Sequence, residues 1–265
     1  MTQRPNVRPA AVAGLFYPQD PRELRALLGR LLAANPATGP APKALIAPHA
    51  GYIYSGALAA RAYNCVAALA DTVRRVVLLG PAHRVALRGL ALSSAIAFHT
   101  PLGEVPLDQQ ASAALRSLPQ VSLSDTAHSQ EHSLEVHLPF LQTLLRNFTL
   151  IPLVVGRVQP GEVAEVLEQL WGGAETLIVV SSDLSHYHTY DIARKLDSDT
   201  AQRIESLLLP LEAEQACGAD PINGLLSVAR RRQLAVTRLD LRNSGDTAGT
   251  RERVVGYGAW SLHAA

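Results

Sequence analysis

The sequence predicts an α/β fold: one domain over residues 1–265, with a central, largely parallel or mixed sheet flanked by helices. Three observations carry this. Short β-branched apolar runs alternate with segments of helical periodicity along the chain, the pattern of strands joined by helical crossovers. Runs such as Leu177-Ile178-Val179-Val180 are apolar at every position, as strands covered on both faces are. Finally, 265 residues with 48% hydrophobic and 18% charged side chains can bury a sizeable core.

The elements follow in order. Residues 1–20 read as an arm leading into Leu15-Phe16-Tyr17-Pro18. Asp20-Pro21-Arg22-Glu23 starts a helix to Ala34, with Asp as N-cap and Pro at the first helical position. Residues 35–42 form a Pro/Gly loop before the first strand, Lys43 to Ala47. Ser55 is expected to cap an Ala-rich helix to Ala70. Arg74–Leu79 is the second strand, Leu90–Ala97 the third, and His99–Gly103 a loop. Asp108 caps a helix to Leu118, and Ser122–Gln130 is polar and irregular. Glu131–Arg146 has helical spacing, with Pro139 forcing a kink or an early first turn. Thr149–Val155 and Thr176–Val180 are strands around a helix at Pro160–Leu170. Helices are expected at Asp191–Leu209, Leu211–Ala216 and from Asp220-Pro221 to Arg232. Leu234–Leu241 and Val254–Ser261 close the sheet. The loop Asn243–Arg251 has the most flexible composition.

Composition excludes several function classes. The formal net charge is +1 with mixed signs throughout, so there is no electrostatic case for nucleic acid or anionic membrane. Arg230-Arg231-Arg232 reads as a solvated helix end favoured by the helix dipole. Two cysteines, Cys65 and Cys217, make no disulfide framework. The start lacks an apolar signal core and no run reaches membrane-spanning length, so a cytoplasmic protein with reduced thiols is expected. The G-x-S-x-G, Walker A, G-x-G-x-x-G and H-E-x-x-H motifs are all absent.

The chemistry-bearing residues gather at strand ends, where open α/β sheets place their ligands. His49 follows the first strand and His83 the second. Neutral imidazole is both a common metal ligand and a common general base. Ser181-Ser182-Asp183-Leu184-Ser185-His186 follows a third strand; in a helical first turn Asp183 and His186 would share a face. Cys217 stands at a break before a helix, where the helix terminus favours thiolate. Each residue also has a structural reading: a packed histidine, a capping aspartate, a small buried thiol. Glu131-His132-Ser133-Leu134-Glu135-Val136-His137 packs two Glu and two His into seven positions, and is expected to supply one pocket-facing side chain plus surface partners.

Together, Pro48-His49-Ala50-Gly51-Tyr52, Gly80-Pro81-Ala82-His83, Glu131–Pro139, Ser181–His186 and Cys217–Ile222 resemble the MEMO family, whose bacterial and archaeal members are called AmmeMemoRadiSam system protein B. The resemblance keeps motif order from about Arg8 to the C-terminus. It implies the fold of class III extradiol, LigB-like dioxygenases, which hold non-haem Fe(II) with two His and a carboxylate. His49 and His83 then correspond to the His ligands, Cys217 to the position of the glutamate, and Asp183 to a further ligand or an acceptor that orients an imidazole. His186, with Asp183, is the expected acid/base pair; Tyr52, Glu131 and His132 are expected in the substrate pocket. A thiolate softens the site toward copper or zinc as well as iron. The implied functions are a metal-dependent redox enzyme or dioxygenase-like oxidoreductase, a non-catalytic module binding a peptide or protein, and a metal-dependent hydrolase. Implied partners are a small molecule or peptide, and AMMECR-type and radical SAM proteins.

Overall fold

A computed structural model describes residues 6–36 and 39–264. Residues 1–5 and 37–38, assigned above to the arm and the Pro/Gly loop, lie outside it. In chain order the elements are β1 (Val7–Arg8), α1 (Pro21–Ala34), β2 (Ala44–Ala47), α2 (Tyr52–Asn64), β3 (Arg75–Pro81), β4 (Leu90–Leu92), β5 (Ala97–Thr100) and β6 (Gly103–Pro106). There follow α3 (Gln109–Leu115), β7 (Val121–Leu123), α4 (Asp125–Ser129), α5 (Leu138–Leu144), β8 (Thr149–Val155) and α6 (Pro160–Leu170). β9 (Thr176–Ser181), β10 (His186–His188), α7 (Tyr190–Glu205), α8 (Ala219–Arg231), β11 (Leu234–Asn243) and β12 (Val254–Ala264) complete the chain.

The expected mixed α/β sheet is present. Its path runs β10-β12-β2-β9-β3-β8-β4-β7, with β11 paired to β12. The middle four strands, β2, β9, β3 and β8, are mutually parallel. β12 and β4 flank them antiparallel. A small second sheet joins β1, β5 and β6.

Alternation along the parallel strands builds two cores. Leu45, Val76, Leu78, Leu177 and Val179 pack on one face with α1, α2 and α5. Ala44, Ile46, Val77, Leu79, Ile178 and Val180 pack on the other with α6, α7 and α8. Successive side chains point to opposite faces, and both faces are covered, which explains why these strands read as continuous apolar runs.

Several expectations need correction. Ser55 does not cap α2: Gly51 is the N-cap, and the Ser55 hydroxyl donates to Ala50 O from inside the helix. α2 also ends at Asn64, because Cys65 and Val66 turn into the core before a short 3-10 turn at Ala67–Leu69. The expected strand Leu90–Ala97 is two strands in different sheets. Ser93 and Ser94 bend between them to donate to the Asp125 carboxylate. His99–Gly103 is the turn of a β5–β6 hairpin, closed at Gly103 with φ +118°, a conformation glycine tolerates. Ser122–Gln130 forms β7 and α4 rather than irregular chain. Glu131–Ser133 is not helical, because the Glu131 carboxylate accepts from the N–H groups of His132 and Ser133. After a 3-10 turn at Glu135–His137, α-helix begins at Leu138, and of the kink or early first turn expected of Pro139 it takes the first turn. Leu211–Ala216 is a turn, held by paired hydrogen bonds between Leu211 and the Asn223 amide.

Candidate metal centre

The carboxyl ends of β2, β3 and β9 converge, and each delivers part of one cleft. His49 leaves β2, His83 leaves β3, and Ser181 ends β9 just before Asp183. Gly218 lets the turn that carries Cys217 into α8 come this close: a Cβ there would meet Ser181 O at 2.6 Å. The cleft has a volume of about 580 Å³ and is lined by, among others, His49, His83, His132, Asp183, His186 and Cys217.

Within it, His49, His83 and His132 each present a ligand atom within 4.8 Å of the other two. Their rings pack as a cluster, His83 stacked on His132 at 4.6 Å and His49 edge-on to both at 5.1 and 5.4 Å. Cys217 and Asp183 adjoin this trio through His49. Cys217 Sγ lies 3.4 Å and Asp183 Oδ2 3.9 Å from His49 Nε2. His132, expected to face substrate, thus stands among the potential ligands.

Buried carboxylate and hydroxyl groups orient the imidazoles. The Glu131 carboxylate accepts from His83 N at 2.6 Å and lies 2.9 Å from His83 Nδ1. Burial pushes the Glu131 carboxyl up, but the hydrogen bonds and charge of His83 outweigh it and bring the group down to about 2. An ionised carboxylate only accepts, so His83 donates through Nδ1 and turns Nε2 outward. Carboxylate–histidine pairs of this kind orient metal-ligating imidazoles. The Nδ1 of His132 is buried without a hydrogen-bond partner among the described residues, with Glu131 Oε1 3.3 Å away.

Burial also sets the charges. It holds His49 well below the ordinary histidine range, reinforced by His83 and the other neighbouring imidazoles. It brings His132 down to about 4 and lowers His186. These rings are neutral at pH 7, the form that binds metal. Burial raises Asp183 to about 7, against the hydrogen bond from His49 N–H. At Cys217 the small buried thiol prevails over the pull of the helix terminus. Burial, then the Asp183 carboxyl, push its thiol up to about 12, and the backbone donors beside it do not compensate. Without a cation the sulfur keeps its proton.

Other expected residues lie elsewhere. Tyr52 is not in the cleft: its ring packs on Tyr17 and Phe140, and its hydroxyl donates to Val136 O at 2.6 Å. Asp183 and His186 share no helical face, because the chain between them is extended and enters β10. Glu131, Glu135 and His137 are buried rather than surface partners. Glu135 instead takes Arg8 at 2.6 Å, the Tyr17 hydroxyl, and the N–H groups of Ala11 and Val12, fixing the N-terminal arm. Arg84, Tyr187, His188 and Glu214 line the cleft without having been singled out in the sequence. β10 is too short for periodicity to mark, and Tyr187 within it has φ +65°.

A family model described as Memo-like protein matches residues 8–261. The chain belongs to the Memo family. Curated MEMO1 family proteins agree. One from Aquifex aeolicus (strain VF5) is 37% identical over 95% of this chain and 97% of its own. One from Methanosarcina acetivorans is 35% identical over 96% and 98%. TV1383 from Thermoplasma volcanium is 31% identical over 95% and 96%. Among solved structures, the uncharacterized protein JW3007 from Escherichia coli K12 superposes with a TM-score of 0.54, covering 82% of this chain and 98% of that one. At 14% identity it speaks to the fold alone. As to membranes, no described helix is long and apolar enough to cross one.

Proposed function

We propose that this Memo family protein is a metal-dependent oxidoreductase that works at the His49–His83–His132 cleft on a small molecule. The observation that carries the reading is the trio of imidazoles with ligand atoms within 4.8 Å of one another. The donor set fits a metal. His83 is oriented by a buried carboxylate, and His132 Nδ1 is buried without a hydrogen-bond partner among the described residues. His49, His83 and His132 would hold the ion, with Cys217 and Asp183 adjoining. Iron or copper suits imidazole beside a sulfur donor, and zinc suits the same set.

A bound iron or copper supplies redox chemistry and an acidic centre for substrate oxygen. The protein's own residues do the rest. Asp183, held near pH 7, carries or releases a proton at Oδ2, the oxygen toward His49 Nε2. His186 lines the same cleft as a neutral base. Arg84 at the rim gives an anionic substrate a counter-charge.

Oxygen uptake by iron- or copper-loaded protein with a panel of catechols tests this. Uptake matching substrate loss, and abolished in His186→Ala with metal content unchanged, supports it. Silence across the panel with metal retained favours the adaptor role, in which AMMECR-type or radical SAM proteins are the proposed partners.

A further inference from the structure

Behind the ligand cluster lies a buried chain of hydrogen bonds used by none of the chemistry above. The Ser181 hydroxyl, with no solvent exposure, has three polar neighbours: Ser133 O at 2.6 Å, His49 Nδ1 at 2.6 Å and His137 Nε2 at 2.8 Å. His137 Nδ1 in turn meets the Tyr63 hydroxyl at 2.8 Å. Tyr63 and His137 are both buried.

Counting protons leaves one arrangement that satisfies every group. Ser181 has one hydroxyl proton and two lone pairs. Ser133 O is a carbonyl and only accepts, so it takes that proton. Both imidazoles must then donate to Ser181 Oγ, His49 through Nδ1–H and His137 through Nε2–H. His137 Nδ1 is left as an acceptor, which the Tyr63 hydroxyl fills. Any other assignment strands a buried donor, leaves the buried Ser133 carbonyl without its proton, or faces two protons together, at about 1–3 kcal/mol.

From this we infer that Ser181 is a positioning residue for the metal centre: it holds His49 as the Nδ1–H tautomer and turns the Nε2 lone pair into the cleft, toward Cys217. His137 and Tyr63 keep Ser181 from donating its proton the other way. Glu131 does for His83 with a charge what Ser181 does for His49 without one. His49, unlike His83, is 2% exposed, and a second buried carboxylate behind it would add a charge to the core. Cys217 Sγ, 3.4 Å from His49 Nε2, fits the same assignment as an S–H donor that a metal would displace.

The inference rests on the metal reading for its purpose, but its test does not. Metal-free protein labelled with ¹⁵N-histidine is examined by long-range ¹H–¹⁵N correlation, with His49→Ala identifying the His49 signals. The expected spectrum shows His49 protonated at Nδ1 and bare at Nε2. In Ser181→Ala that pattern is lost, Co²⁺ affinity falls about 10–100-fold, and Ser181→Thr restores both. A wild-type His49 protonated at Nε2 overturns the inference, as does an unchanged tautomer in Ser181→Ala. Should Ser181→Ala fail to fold, the wild-type spectrum decides alone. A correct tautomer in a protein that binds no Co²⁺ would sink the metal reading and leave the role of Ser181 standing.

Discussion

Replacing Glu131 by glutamine removes a charge and almost nothing else, so its cost can be worked from contacts. Oε1 accepts from His132 N at 2.9 Å and Ser133 N at 3.0 Å, and sits 2.9 Å from His83 Nδ1. Oε2 accepts from His83 N at 2.6 Å. A glutamine whose oxygen takes the Oε1 place keeps three of these bonds. Its amide nitrogen then faces the His83 N–H, which loses its acceptor at about 1–3 kcal/mol. Losing charge assistance on the other three adds about 1 kcal/mol. Glu131→Gln should therefore lower stability by about 2–4 kcal/mol in urea unfolding of chelator-treated protein. It should also weaken Zn²⁺ binding about 10–100-fold, because a neutral amide oxygen accepts more weakly than a carboxylate from His83 Nδ1–H and polarises the imidazole less. Stability within about 0.5 kcal/mol of wild type, with unchanged Zn²⁺ affinity, would refute the assignment of Glu131 as the anchor of His83.

Two other perturbations probe the scaffold. Arg8→Met strands the Glu135 carboxylate, whose Arg8 partner is 2.6 Å away with neither side chain appreciably exposed. Breaking such a pair from one side costs about 3–5 kcal/mol, read as a urea midpoint shift; a loss under about 1 kcal/mol would contradict a buried ion pair here. Asp197, buried in α7 behind Ser185, is raised by burial from 3.8 to about 6. The folded state binds its proton more tightly than the unfolded chain, so this group's stability is full below pH 3.8 and is lost as pH rises through 6. Asp197→Asn keeps an acceptor for Ser185 N–H and should raise Tm at pH 7 while converging with wild type near pH 4; a lower Tm at pH 7 would show that the carboxylate is stabilised as an anion.

Much of the fold was legible because local signals and tertiary packing agree. The bounds of β8 and α6 match their expected ones, since a continuous apolar run and a proline-opened helix are unambiguous. Failures occurred where a side chain overrules its own backbone. Ser93 and Ser94 break a strand to reach Asp125, and Glu131 suppresses the helix that its spacing suggests. Of the site, the strand-end residues His49, His83 and Asp183 were readable, because parallel sheets present ligands there. Ser181 was not, since a serine ending a strand looks the same whether it meets solvent or two imidazoles. Tyr52 was misassigned because proximity to His49 in sequence does not tell which side of a helix turns inward. The protonation of Cys217 was not legible, since a helix terminus favours thiolate and a small buried thiol keeps its proton; burial and Asp183 decide it.

The histidine trio is proposed to hold a metal ion. Metal content of anaerobically purified protein, measured by elemental analysis beside His49→Ala of verified fold, decides this. Iron, copper or zinc should be found near one atom per chain in the wild type and close to none in the variant. A wild type that retains none of these metals after exposure to them, or a variant that keeps its full complement, would contradict it.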